Sequence, residues 1–275
     1  MGKTLYVSDL DGTLLHSDEQ ISEYSCKVIN RLANEGMIFS YATARSVYTS
    51  SKATHGLIAK IPLIVYNGAF IVDNETGERI KTNTFTDGEA TEIYTVLTQN
   101  SIHPIVYALI DNVERFSYIK TKVNTPTAEF IRSREKYNDK RTRPLKSNDN
   151  IMAGEKFYFT CIGNEEHLQP AYDKLKEKYN CFFHKDIYSG YQWLEVLPNS
   201  ATKANAVLQL KRLFDCDKVI SFGDAINDIP MFNISDECYA VANADPKLKQ
   251  IASGIIGTNN DDAVAKFLEQ HFGNI

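Results

Sequence analysis

Thr4-Leu5-Tyr6-Val7-Ser8-Asp9-Leu10-Asp11-Gly12 carries the first apolar run of the chain and closes it on two carboxylates and a glycine. The run is short and ends in a turn signal, so it reads as a buried strand entering a turn. Asp9 and Asp11 stand at i and i+2, and side chains two apart on a strand point the same way. Asp-Gly is also a common turn pair, so these carboxylates alone are equally well read as turn caps.

Working outward, the spacing of Cys26, Ile29, Leu32 and Ala33 predicts a helix over 22–34, with Gly36 as its stop. A strand over 37–43, a helix over 45–59 and a strand over 62–66 follow. Strand–helix alternation of this kind argues for a parallel sheet with right-handed crossovers. Residues 70–73 and 79–81 flank Asn74-Glu75-Thr76-Gly77 and read as a hairpin.

From about Thr84 the texture changes. A helix over 89–99, a hairpin of 104–110 with 113–120, a strand over 156–162, a helix over 167–179, and strands over 181–184 and 192–196 suggest an α+β module with an antiparallel sheet. The basic, weakly periodic stretch 132–146 reads as the end of a helix plus a solvated loop. Alternation returns after Thr202, with helices over 204–214, 228–233 and 261–271 and strands over 218–222 and 239–242. The expected fold class is α/β: a Rossmann-like, doubly wound parallel-sheet core from residues 1–83 and 191–275, with a second, α+β domain inserted at 84–190.

The 275 residues are 43% hydrophobic and 24% charged, which allows a sizeable core. A formal net charge of -5 argues against a nucleic-acid or anionic-membrane partner. A phosphate site here must therefore supply its own local positive charge. The five cysteines have neither zinc-site nor redox-motif spacing and read as reduced thiols of a cytoplasmic protein. The N-terminal residues lack the basic-then-apolar pattern of a signal peptide. Tyr6 breaks the myristoylation pattern. No apolar run is long enough to span a bilayer.

A second acidic group, Gly223-Asp224-Ala225-Ile226-Asn227-Asp228, follows another predicted strand. If both strands lie centrally in one sheet, Asp9, Asp11, Asp224 and Asp228 converge, and four close carboxylates cannot all stay ionised without a cation. Oxygen-only ligation suits magnesium, which keeps several waters and pairs with phosphate. Helix capping by Asp224 or Asn227 is the plainer alternative. Thr43 ends a predicted strand before a helix, so its hydroxyl and that helix N-terminus could hold phosphate oxygens. Lys203 sits in the first turn of a helix, where the dipole disfavours a cation. Neutralising carboxylates and phosphate would explain it; a solvated lysine is the bland alternative.

These residues, in this order, resemble the haloacid dehalogenase superfamily of phosphohydrolases. Its four motifs match Asp9-Leu10-Asp11-Gly12-Thr13, Thr43, Lys203, and Gly223-Asp224 through Asn227-Asp228. Ala42-Thr43-Ala44-Arg45, Tyr66-Asn67-Gly68-Ala69 and the late cap resemble the Cof-type branch. The resemblance implies a phosphatase acting on a small phosphorylated metabolite such as a sugar phosphate. Asp9 would attack phosphorus to form an aspartyl-phosphate, with Asp11 as acid and then base. Magnesium would be held by the Asp9 carboxylate, the Asp11 carbonyl and Asp224, with Asp228 supporting that shell. Thr43 and Lys203 would stabilise the transferring group, and Leu10, Ala44, Arg45 and Asn227 would join them in binding substrate. Ala44 replaces the usual Gly before the Arg, which leaves the aim of Arg45 open, and Ala225 replaces a common Asn or Gly.

In the cap, the aromatic residues Tyr107, Tyr118, Tyr158, Tyr188, Tyr191 and Trp193 are candidates for substrate contact, with Arg115, Lys156 and His184. Aromatic residues on hairpins are more often core. Two other functions fit the same scaffold: a phosphomutase, which would need a bisphosphate, and a non-catalytic phospholigand-binding protein.

Overall fold

The computed structural model describes residues 2–58, 62–136, 138–186 and 189–272. In chain order the elements are β1 (Thr4–Ser8), α1 (Glu23–Asn34), β2 (Ile38–Tyr41), α2 (Val47–Ala53), β3 (Leu63–Val65), β4 (Phe70–Val72) and β5 (Arg79–Thr82). Next come α3 (Asp87–Gln99), β6 (Ile105–Ile110), β7 (Val113–Ile119), α4 (Thr125–Lys136), β8 (Thr142–Leu145), β9 (Glu155–Gly163), α5 (Glu165–Leu175), β10 (Asn180–Lys185) and β11 (Gln192–Leu197). The chain ends with α6 (Lys203–Leu213), β12 (Lys218–Gly223), α7 (Ile229–Asn233), β13 (Glu237–Ala240), α8 (Pro246–Ile251), β14 (Gly254–Ile255) and α9 (Ala263–His271). Two compact units result, one from the chain up to Thr82 and from Ala201 onward, the other from Asn83–Ser200.

The first unit holds a five-stranded sheet in the order β14-β13-β12-β1-β2, parallel at every pairing. The apolar residues of its central strands are buried: Leu5, Val7, Val219 and Phe222 are all 0% exposed. Helix α1 starts where Ser22 accepts from Ser25 N, and it buries Cys26, Ile29 and Leu32, the face its spacing predicts. It packs against α9, while α6 packs against α7. From β1 the chain steps to β2 on one side and later returns to β12 on the other. The crevice at the carboxyl ends of β1 and β12 is thus a topological switch point, where open α/β sheets bind ligands.

The second unit is a six-stranded sheet in the order β10-β11-β9-β6-β7-β8. Its core joins Ile93 and Leu97 of α3 and Leu168 and Leu175 of α5 to Val106, Phe159, Leu194 and Val196 of the sheet. Three expectations change here. Strand β11 pairs with both β9 and β10, so the second junction falls after Ser200 rather than at 190/191. Stretch 132–146 is more ordered than its composition suggests: α4 runs to Lys136, and β8 pairs with β7 in parallel rather than antiparallel sense. β8 is an edge strand, a place that tolerates Pro144 and its missing N–H. Third, in the first unit, α2 covers only Val47–Ala53 of the helix expected over 45–59 and is capped by Ser46. Residue 59, the last of that expected helix, lies outside the described residues, as does Tyr188.

Candidate active site

Asp9 ends β1 with its backbone N–H on Phe222 O at 2.9 Å, which continues the sheet and locks the residue beside β12. Its side chain is buried and meets Lys203, whose Nζ lies 2.5 Å from Asp9 Oδ1 and 2.7 Å from Asp228 Oδ1. Lys203 is the first residue of α6, capped by Thr202, and is only 3% exposed. Its position against the helix dipole is thus explained by two buried carboxylates. Asp228 uses its other oxygen to accept from Asp224 N and Ala225 N, each at 3.2 Å. Neither Asp224 nor Asn227 caps the following turn: Ala225 stands at the cap position, and the Asp228 side chain reaches back to the backbone there and holds Asp224 in place.

Oxygens from Asp9, Asp224 and Asp228 all lie within 4.8 Å of one another. Burial pushes the Asp9 carboxyl well above the usual carboxylate range; Lys203 opposes this, while Asp228, Asp224 and Asp11 add to it. Burial and then Asp228 push Asp224 up to about 6, against the opposing pull of Thr13 Oγ1, which donates to Asp224 Oδ1 at 3.1 Å, and of Lys203. For Lys203 burial works the other way, but Asp228 and Asp9 outweigh it and hold the ammonium above its ordinary value. One ammonium cannot balance three carboxylates in a low-dielectric site. The donor set fits a hard divalent cation on Asp9 and Asp224. Asp228 is already engaged on both oxygens and supports that pair from behind.

The turn after Asp9 brings the second carboxylate into place. Gly12 has φ +74, and a Cβ on it would stand 2.4 Å from Asp224 Oδ2, so only glycine lets the turn approach that carboxylate. Asn243 Nδ2 donates to Gly12 O at 2.8 Å and ties the turn to the far end of the chain. Leu10 is 0% exposed, so only its backbone can serve a ligand. Asp11 is the exposed member of the pair. Arg45 grips it, with Nε at 3.0 and 2.9 Å from its two oxygens and Nη2 at 2.5 Å from Oδ1. Arg45 thus aims at Asp11 and, through Nη2, at Glu19 Oε2 at 2.8 Å.

Thr43 is fully buried in its bend, where its Oγ1 accepts from Arg45 N at 3.1 Å and keeps its proton to donate. The expected helix N-terminus is not beside it, because the helix begins later; Ala44 is exposed. The Tyr66–Gly68 turn braces this bend: Asn67 N donates to Thr43 O at 2.8 Å. Gly68 lies so close to the start of α6 that a Cβ would stand 2.3 Å from Thr202 O. Asn227 lies half-buried in the turn after Asp224, and its side chain makes no hydrogen bond among the described residues. Nothing local to Glu19 or Asn243 marks a site in the sequence, and Thr13, legible there only as the last residue of the first motif, gains its contact to Asp224 from the fold. In the second unit Tyr107, Tyr118, Tyr158 and Lys156 are buried, in keeping with core roles for the aromatic residues.

In the first unit, then, a buried carboxylate, Asp9, faces an ammonium and shares a possible cation site with Asp224, with a more accessible carboxylate two residues on. Such an arrangement could serve a carboxylate nucleophile. The sequence profile of the haloacid dehalogenase-like hydrolases matches residues 6–268. A Haemophilus influenzae protein with a provisional phosphatase name is 30% identical over 268 residues, covering 96% of this chain and 97% of its own. The 5-amino-6-(5-phospho-D-ribitylamino)uracil phosphatase YitU of Bacillus subtilis is 24% identical over 278 residues, covering 98% and 97%. A haloacid dehalogenase-like hydrolase from Bacteroides thetaiotaomicron has a crystal structure similar in fold, with a TM-score of 0.77 at 23% identity over 98% of this chain and 100% of that one. With the profile matched almost end to end and the motif residues gathered at one sheet edge, this chain belongs to the haloacid dehalogenase-like hydrolase family and is an enzyme of its phosphatase class.

Proposed function

We propose that the protein is a magnesium-dependent phosphatase that hydrolyses a small phosphorylated metabolite, a sugar or polyol phosphate, through an aspartyl-phosphate at Asp9. The observation that carries this reading is Lys203 held between Asp9 and Asp228 with Asp224 alongside. Asp9 attacks phosphorus as the nucleophile while Lys203 and Thr43 donate to the phosphoryl oxygens. Asp11 gives its proton to the leaving oxygen and then takes one from the water that cleaves the intermediate. Magnesium on Asp9, the Asp11 carbonyl and Asp224 would supply positive charge against the phosphoryl group. The phosphorylated ribityl chain in the name of YitU favours a polyol-like substrate.

The second unit is proposed as the cap that selects the substrate, since function resides in sites carried by a fold. All five cysteines are free, which supports a reducing, cytoplasmic setting. Among the described residues no helix is long and apolar enough to cross a membrane. The test is hydrolysis of a chromogenic phosphate ester with magnesium, with EDTA, and by Asp9→Asn. Activity that survives chelation or the substitution would overturn the reading; a panel of phosphorylated sugars and polyols ranked by kcat/KM then identifies the substrate.

A further inference from the structure

Arg45 is engaged by two carboxylates, and only one of them belongs to the motifs. Besides its grip on Asp11, its Nη2 donates to Glu19 Oε2 at 2.8 Å. The Arg45 side chain is 19% exposed, whereas those of Asp11 and Glu19 are 49% and 50% exposed. Glu19 reaches the guanidinium from a left-handed backbone position, φ 61. Glycine or asparagine suits that conformation better than a longer side chain, so forming the turn does not explain a glutamate there. The turn itself is well tied down. Glu19 N donates to His16 O at 2.9 Å and Ser17 N to Asn260 Oδ1 at 2.9 Å, while His16 Nε2 meets Asp262 Oδ1 at 3.0 Å.

We infer that Glu19 is a positioning residue for the acid–base step: it gives Arg45 a second carboxylate to hold when Asp11 lets go. This rests on the reading of Asp11 as acid and base. With Arg45 clamped on both its oxygens, Asp11 cannot serve the leaving group. Once the clamp opens, Asp11 takes up a proton from solvent, and as the P–O bond breaks it passes that proton to the leaving oxygen, so release from Arg45 must come before that step. A largely buried guanidinium stripped of its anion is costly. Glu19 keeps Nη2 paired through the opening and holds Arg45 at the mouth of the site, so that release of Asp11 does not strand the charge.

The test is a series of phosphate monoesters running from nitrophenol to simple alcohols as leaving groups. It is run on wild type, Glu19→Gln, Glu19→Asn, Arg45→Ala and the Glu19→Gln/Arg45→Ala double variant. Asparagine tolerates the left-handed position, so Glu19→Asn preserves the turn if Glu19→Gln does not. Poor leaving groups depend on the Asp11 proton, and for these kcat should fall about tenfold, the lower end of what one charge-assisted hydrogen bond is worth. In the single Glu19 variants, nitrophenyl esters should change by less than about twofold, because they need little protonation. On the Arg45→Ala background, Glu19→Gln should have no further effect, since the partner it serves is gone. An equal loss across the series, a loss additive with that of Arg45→Ala, or no loss would overturn the inference. Asp9→Asn run beside them separates the two claims: activity in that variant sinks the functional reading itself, whereas its inactivity leaves that reading standing whatever Glu19 does.

Discussion

Lys203 Nζ lies 2.5 Å from Asp9 Oδ1 across 194 residues of chain, with both side chains almost wholly withdrawn from water. The same ammonium also holds Asp228, so a single cation stabilises two buried anions. Lys203→Met should therefore destabilise the protein in metal-free buffer by about 3–5 kcal/mol, the usual consequence of removing one partner from a buried ion pair. Asp9→Asn should cost far less, because it also removes a carboxylate that crowds Asp224 and Asp228. Urea unfolding of both variants checks this; a Lys203→Met protein as stable as wild type would mean the carboxylates are not ionised together.

The two aspartates of the first turn should separate cleanly. Asp9→Asn should form no phosphoenzyme. Asp11→Asn should keep the nucleophile but lose its proton donor and base, slowing turnover by about 10²–10⁴-fold. Because hydrolysis of the intermediate also needs that base, Asp11→Asn should accumulate protein-bound phosphate. Rapid acid quench with labelled substrate measures it. Equal labelling of Asp9→Asn and wild type would place the nucleophile elsewhere.

Metal binding can be read without turnover. Magnesium at a hundredfold excess over its dissociation constant should stabilise the wild type by about 2.7 kcal/mol. Asp224→Asn should lose most of that gain, since it removes one of the two carboxylates that would hold the ion. Calcium should bind yet inhibit, its larger and looser coordination disturbing the in-line geometry. Melting curves with EDTA, magnesium and calcium decide it: a wild type whose melting ignores magnesium has no site of this kind.

Asp262 offers a pH test away from the chemistry. Its Oδ1 accepts from Ser22 Oγ at 2.5 Å and Ser25 Oγ at 2.9 Å and meets His16 Nε2 at 3.0 Å, which joins the starts of α1 and α9. Burial would raise its pKa, but these three partners outweigh burial and hold the carboxyl below the usual range. The folded state thus binds fewer protons than the unfolded one. Its contribution is present above the unfolded pKa of about 3.9 and is lost as pH falls through the folded value. Asp262→Ala should cost about 1–3 kcal/mol at neutral pH, and the gap to wild type should close as pH drops below about 4. A gap that stays constant down to that range would show that the carboxylate charge contributes nothing.

The sequence by itself determined the parts that depend on local pattern. Short apolar runs and helical spacing mark β1, α1, α3, α5 and α6 because the periods of burial, 2 and 3.6, are written along the chain. Asp9, Thr43, Lys203 and Asp224 are legible because each stands at a strand end or a helix start, and the order of those ends is the order of the motifs. Only the tertiary structure decided what depends on partners far away in the chain. Strand β11 joins the second sheet through its pairing with β9 and β10, a choice of neighbours that its own residues do not encode. The basic stretch yields β8 because a free sheet edge accepts Pro144 and because Arg143 finds Ser117 Oγ and Asn150 O. Arg45 turns to Asp11 and Glu19, Asn243 ties Gly12, and Asp228 shares its two oxygens between Lys203 and the Asp224 loop. Apart from the local bonds between Asp228 and the Asp224 loop, each is a hydrogen bond or ion pair between distant parts of the chain, whose strength depends on burial and distance and which does not exist until the fold has brought the partners together.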